Sequence, residues 1–242
     1  MLQVFTDKTA LSTFAADLFV QTAKEAVARD GRFVVALTGG SSPVQLYHML
    51  AEPPYLNEVP WARTYVFWGD ERWVPLDDEK SNYKMSKEAL LDKVPVPAEQ
   101  IFPMWKAEVS PEAYAKEYEQ ILLELFGGFK PQFDLILLGM GDDGHTASLF
   151  PGTAVLTEQE KLVDAYWLAP QDMYRITLTA TLINAARKIA FLTFGANKAK
   201  ALYEVLEGAP DTNQYPSQLI RKDADTVHWL VDEAAAAQLQ KR

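Results

Sequence analysis

The 242-residue chain predicts an α/β fold, one domain with a mostly parallel sheet flanked by helices, and three observations carry that expectation. Short, almost purely apolar runs recur at residues 33–37, 65–68, 135–138, 189–194 and 227–231. Continuous rather than alternating hydrophobicity is what a strand buried on both faces requires. Segments with helical spacing lie between these runs, and glycine-bearing polar loops follow them, where an α/β sheet presents the carboxyl ends of its strands to ligands.

The elements follow in order. Leu11, Phe14, Leu18 and Thr22 fall at steps of three and four, so residues 9–29 predict an amphipathic first helix stopped by Asp30 and Gly31. After the first apolar run, Ser41 and Ser42 offer an N-cap and Pro43 an N1 position for a second helix. Ser110 and Pro111 open another helix, with Tyr114, Tyr118, Ile121 and Leu125 on one face and Gly127 and Gly128 as its stop. Residues 197–206 and 232–240 predict two more, the last containing the alanine run 234–237. The proline-rich stretches 52–60 and 94–103 are expected as excursions at the edge of one domain covering 1–242, because neither has the composition of a linker.

Composition narrows the function classes. Hydrophobic residues make up 48% of the chain, enough for a sizeable core. A net charge of −10 argues against a general nucleic-acid or anionic-membrane surface, so any phosphate ligand needs local positive charge. The chain has no cysteine, which excludes disulfides, thiolate nucleophiles and cysteine-ligated metals. No run approaches the roughly 18 apolar residues of a membrane span, and the first residues lack the pattern of a secretory signal, so a cytoplasmic location is expected.

Four loops carry polar residues that a core does not need. The first holds Gly39, Gly40, Ser41 and Ser42 before a helix start, an arrangement suited to phosphate through free N–H groups and the helix dipole. The second places Asp70, Glu71 and Arg72 directly after a buried strand. The third, GMGDDGHTASLFPG at residues 139–152, spells G-x-G-x-x-G, yet two aspartates would repel a pyrophosphate and Pro151 and Gly152 interrupt any following helix. Its glycines Gly139, Gly141 and Gly144 are expected to permit positive φ, and His145, with Asp143 two positions back, is the candidate base. Asp142 is the alternative partner for that histidine. His48 and His228 lack such neighbours and read as structural, and one histidine among acids offers no set of zinc ligands. In the fourth loop Lys198 sits at a helix start, against the dipole, where an anionic ligand would account for it.

TGGSSP, GDERWVP, GMGDDGHTASLFPG and NKAKAL, in this order across residues 37–202, resemble the signature segments of the 6-phosphogluconolactonase family. That family belongs to a wider group including glucosamine-6-phosphate deaminases, whose corresponding segments carry a glutamate where this chain has Phe150 and a tyrosine where it has Arg72. The resemblance implies a modified Rossmann-like α/β fold without a dinucleotide, a monomer, and hydrolysis of a phosphorylated sugar lactone without a cofactor. On that reading His145 activates water, Asp143 orients it, and Arg72 contacts the oxyanion or the substrate. Lys198 and the Gly39 to Ser42 loop hold the phosphate, while Asp70 and Arg175 form part of the pocket wall. An amino-sugar-phosphate deaminase or isomerase, a dinucleotide-dependent oxidoreductase and a noncatalytic sugar-phosphate sensor are the alternatives.

Overall fold

The apolar runs become strands buried on both faces in the computed structural model, which describes residues 1–220 and 226–240. The first half of the chain forms β1 (Leu2–Phe5), α1 (Lys8–Asp30), β2 (Phe33–Leu37), α2 (Val44–Leu50), α3 (Tyr55–Glu58), β3 (Thr64–Trp68), β4 (Asp70–Arg72), α4 (Asn82–Ala89) and α5 (Pro111–Leu125). The second half adds β5 (Leu135–Leu138), β6 (Val163–Leu168), β7 (Met173–Leu178), α6 (Ala180–Ile183), β8 (Lys188–Thr193), α7 (Ala199–Leu206) and β9 (Val227–Asp232). Among these described residues no helix is long and apolar enough to cross a membrane.

Six strands form a parallel sheet in the order β1-β9-β8-β5-β2-β3. Chain order runs outward from the centre in both directions, β2 to β3 on one side and β5 to β8 to β9 on the other. The reversal therefore falls between β2 and β5, where an open α/β sheet leaves a crevice at its carboxyl edge. Every residue of β2 and β5 is buried, and each such apolar side chain contributes about 1.5–3 kcal/mol on leaving water. The expected fold class is thus present, and its core continues without a break into a second, smaller sheet.

That second sheet is antiparallel, in the order β4-β7-β6, and it corrects the sequence reading, which placed Asp70, Glu71 and Arg72 in a loop and left β6 and β7 unassigned. The signal was weak because β4 is three charged residues, and β6 alternates buried with partly exposed positions instead of running continuously apolar. The helix expected over 232–240 is also absent. Asp232 ends β9, its carboxylate accepts from the backbone N–H of Ala235 at 2.7 Å, and residues 235–238 close into a single 3-10 turn despite their alanine content. Tertiary contact overrides propensity here.

Helix α1 matches its expected face: Leu11, Leu18 and Thr22 are buried and Phe14 packs against the core. Asp7 caps it by accepting from Thr9 and Ala10, and Gly31, at φ 73°, closes it. Ser110 and Pro111 open α5 as expected. Pro43, however, lies at the cap position of α2 instead of N1, and no side chain caps that helix. Of the two proline-rich excursions, residues 94–103 cover the exposed edge of the large sheet, where Phe102 donates to the Val66 carbonyl at 2.9 Å and Ile101 bridges to β3.

One buried charge ties the amino edge of the sheet together. Asp134 is 4% exposed; one carboxylate oxygen accepts from the Val34 N–H at 2.8 Å and the other pairs with Arg29 at the end of α1 and with Arg187 at 3.6 Å. Burial pushes its pKa up against the pull of the Val34 N–H and the arginines. Removing the carboxylate leaves a buried donor unpaired and strips Arg29 and Arg187 of this partner. Asp134→Ala is expected to lower unfolding free energy by about 3 kcal/mol in urea titration, without altering the opposite, carboxyl edge.

Candidate active site

The carboxyl edge of the large sheet brings four distant segments into one cavity. Thr38 to Ser42 enter it after β2, Asp70 and Arg72 from β4, Gly139 to Gly141 and His145 after β5, and Lys198 before α7. Arg175 reaches the same cavity from β7. Every residue expected at the site lines it except Asp143, which stands behind His145.

The histidine is held by a carboxylate. Asp143 Oδ1 lies 2.6 Å from His145 Nδ1 and also accepts from the His145 backbone N–H at 3.1 Å. With Nδ1 engaged, Nε2 is the nitrogen left for chemistry at the cavity. Burial opposes ionisation of Asp143, but the hydrogen bonds and charge of His145 hold its carboxyl below the usual range. Gly141 makes the pair possible by close approach and not by positive φ: a Cβ there would lie 2.1 Å from His145 Nδ1 and 2.5 Å from Asp143 Oδ1. Of the three glycines expected at positive φ in this loop, only Gly144 adopts it. No helix follows the loop directly, so the dinucleotide geometry that its spelling suggested does not form.

The neighbouring aspartate has a different partner. Asp142 pairs with Lys198 Nζ and accepts from Asn197 Nδ2 at 3.0 Å, and the Lys198 hydrogen bond is the main cause of its lowered pKa. Two adjacent acids thus serve two loops, one orienting the histidine and the other the lysine.

Two arginines far apart in sequence line the same cavity. Arg72 and Arg175 face each other across the antiparallel β4–β7 pair, an arrangement of like charges that costs stability unless an anion is shared. Arg175 is 4% exposed, and burial, with Arg72 adding to it, lowers its pKa. Asp70 Oδ2 lies 3.6 Å from Arg175 Nη1 and accepts from Ser148 Oγ at 2.6 Å. The Nε atoms of both arginines are buried with no hydrogen-bond partner among the described residues.

The match to known proteins extends over nearly all of this framework. Residues 6–229 match the family described as glucosamine-6-phosphate isomerases/6-phosphogluconolactonase. The chain belongs to that family. A 6-phosphogluconolactonase from Nostoc sp. is 40% identical over 98% of both chains, and one from Synechocystis sp. is 42% identical over 89% of this chain and 88% of its own. The solved structure of 6-phosphogluconolactonase from Trypanosoma brucei covers 99% of this chain and 98% of its own, with a TM-score of 0.86 at 28% identity.

The sequence reading named Glu71 only as part of the charged triplet and gave no role to Asn82, which lines the cavity, or to Ser148, which bonds Asp70. Glu71, 1% exposed, accepts from the backbone N–H groups of Arg72, Asn82 and Tyr83, each at 2.8 Å, and from Ser81 Oγ at 3.1 Å. It fastens the start of α4 to β4 and so brings Asn82 to the cavity, where its side-chain oxygen leaves no room for a Cβ at Gly39. The sole sequence hint was a polar Ser-Asn pair ten residues after a charged triplet, which also fits a solvated turn.

Burial raises the Glu71 pKa to about 7 against the pull of the three N–H groups, with Asp70 adding to the rise. A carboxyl whose folded pKa exceeds its ordinary 4.5 binds its proton more tightly in the native state, so the stability it contributes falls as pH rises from 4.5 to about 7. Relative to Glu71→Gln, wild type is expected to lose on the order of 3 kcal/mol across that window in denaturant titrations at its two ends. An unchanged difference at both ends would show that Glu71 stays ionised throughout.

Proposed function

We propose that this chain hydrolyses 6-phospho-D-glucono-1,5-lactone to 6-phosphogluconate, the reaction named for the relatives above, in the oxidative pentose phosphate pathway. The observation that carries the reading is the Asp143–His145 pair on one side of a cavity bearing three cationic side chains, Arg72, Arg175 and Lys198. A lactone is an activated ester, so its hydrolysis needs a base for water, charge stabilisation for the tetrahedral oxyanion and a grip on the distal phosphate.

His145 Nε2 takes a proton from water as the oxygen attacks the lactone carbonyl, and Asp143 stabilises the imidazolium that forms. Negative charge develops on the former carbonyl oxygen, where Arg72 donates. The intermediate then collapses: the bond from the former carbonyl carbon to the ring oxygen breaks, and the departing oxygen takes the proton from the imidazolium. No covalent enzyme intermediate and no cofactor enter this sequence. Lys198, kept at the cavity edge by Asp142 and Asn197, binds the phosphate with Arg175 and the Gly39 to Ser42 loop. Asp70 keeps Arg175 in the wall.

A deaminase or isomerase is the less favoured alternative, because the ring beside His145 is Phe150 and not a second carboxylate. A cytoplasmic, monomeric, single-domain enzyme completes the proposal. Among the described residues the exposed large apolar side chains are Met1, Phe129 and Trp167.

The reaction is tested by generating the phosphorylated lactone in situ from glucose 6-phosphate and following its decay by NMR against the spontaneous rate. Wild type is expected to accelerate decay, and His145→Ala to lose on the order of 10²- to 10⁴-fold in kcat with its fold intact. Decay at the blank rate with wild type, whether or not 6-phosphogluconate binds, would contradict the enzymatic reading and leave a sensor. Lys198→Ala is expected to raise KM for the phosphorylated lactone at least about tenfold while leaving KM for glucono-1,5-lactone within about twofold. Equal effects on both substrates would remove Lys198 from the phosphate site.

A further inference from the structure

The aromatic ring of Phe150 touches two groups of the site at once. It stacks on the His145 imidazole, with ring centroids 4.0 Å apart and planes inclined by 23°. The guanidinium carbon of Arg175 stands 5.4 Å from the centroid of the same ring, within cation–π range. Phe150 is only 7% exposed. Its backbone is anchored by contacts that do not involve the imidazole: its carbonyl accepts from Thr153 Oγ1 at 2.6 Å, and Gly152 donates to the Asn213 carbonyl at 3.1 Å.

From this geometry we infer that Phe150 is a positioning residue that fixes the plane of the His145 ring, an inference that rests on His145 being the base of the proposed hydrolysis. The hydrogen bond from Asp143 to Nδ1 fixes one point of the imidazole but still permits the ring to rock about that contact. The stack supplies the second restraint. Together they determine where Nε2 points, and because Arg175 bears on the same ring, they set that direction relative to a wall of the substrate cavity. A flat face that can meet an imidazole and a guanidinium requires an aromatic ring.

Misdirecting a base that otherwise remains in place slows the proton transfer and leaves substrate binding nearly unchanged, so the effect belongs in kcat and not in KM. Phe150→Leu keeps an apolar filler without a ring face, and Phe150→Tyr keeps the ring. In the lactone assay, Phe150→Leu is expected to lose on the order of tenfold in kcat with KM within about twofold of wild type, while Phe150→Tyr retains kcat within about twofold. Thermal unfolding identifies which variants are folded, and Phe150→Met replaces the leucine variant if that one does not fold. Unchanged kcat in the ringless variant, or equal loss in it and in Phe150→Tyr, would overturn the role of the ring. Wild type that fails to accelerate hydrolysis would instead strike the lactonase reading itself, so the two failures are separable.

Discussion

The strands at the centre of the large sheet are buried on both faces, so functional polar groups can collect only where those strands end. Parallel pairing puts all the carboxyl ends on one edge, and the reversal of chain order between β2 and β5 opens that edge beneath two loops. The remaining features depend on this arrangement. The small antiparallel sheet packs on the same core and brings Arg72 and Arg175 to the open edge, and α7 begins where Lys198 can reach across to the loop after β5.

Charge in the cavity is organised as pairs that hold positions without cancelling donor capacity. Asp143 takes one nitrogen of His145 and leaves the other. Asp142 restrains Lys198, whose ammonium has three donors, and Asp70 restrains Arg175 through one arm of its guanidinium. The two arginines are like charges paired directly across β4 and β7, an arrangement that costs stability in the absence of a shared anion.

Much of this was legible beforehand because it depends on local signals. Continuous apolar runs announce doubly buried strands, glycine and proline punctuate the loops, and a histidine two residues after an aspartate in a strand-to-loop turn is visible without coordinates. The contacts of Glu71, Asn82 and Ser148 were not visible. Each matters through a partner more than nine residues away, Asn82 and Ser81 for Glu71 and Asp70 for Ser148. The strands β6 and β7 were equally hidden, because a half-buried antiparallel ribbon carrying Asp164, Tyr166 and Arg175 lacks the apolar run that marks a parallel core.

The sequence by itself determined the fold class and the four polar segments whose residues meet at the cavity. Those rest on periodicity and on residue types that act through their nearest neighbours in the chain. Tertiary structure alone decided which aspartate serves the histidine and which the lysine, because Asp142 and Asp143 are chemically identical and differ only in the direction the turn gives each side chain. It also decided that Gly141 is required by contact and not by torsion, that Arg72 faces Arg175, and that Phe150 lies against the imidazole. All of these are distances across the fold, which no linear spacing encodes.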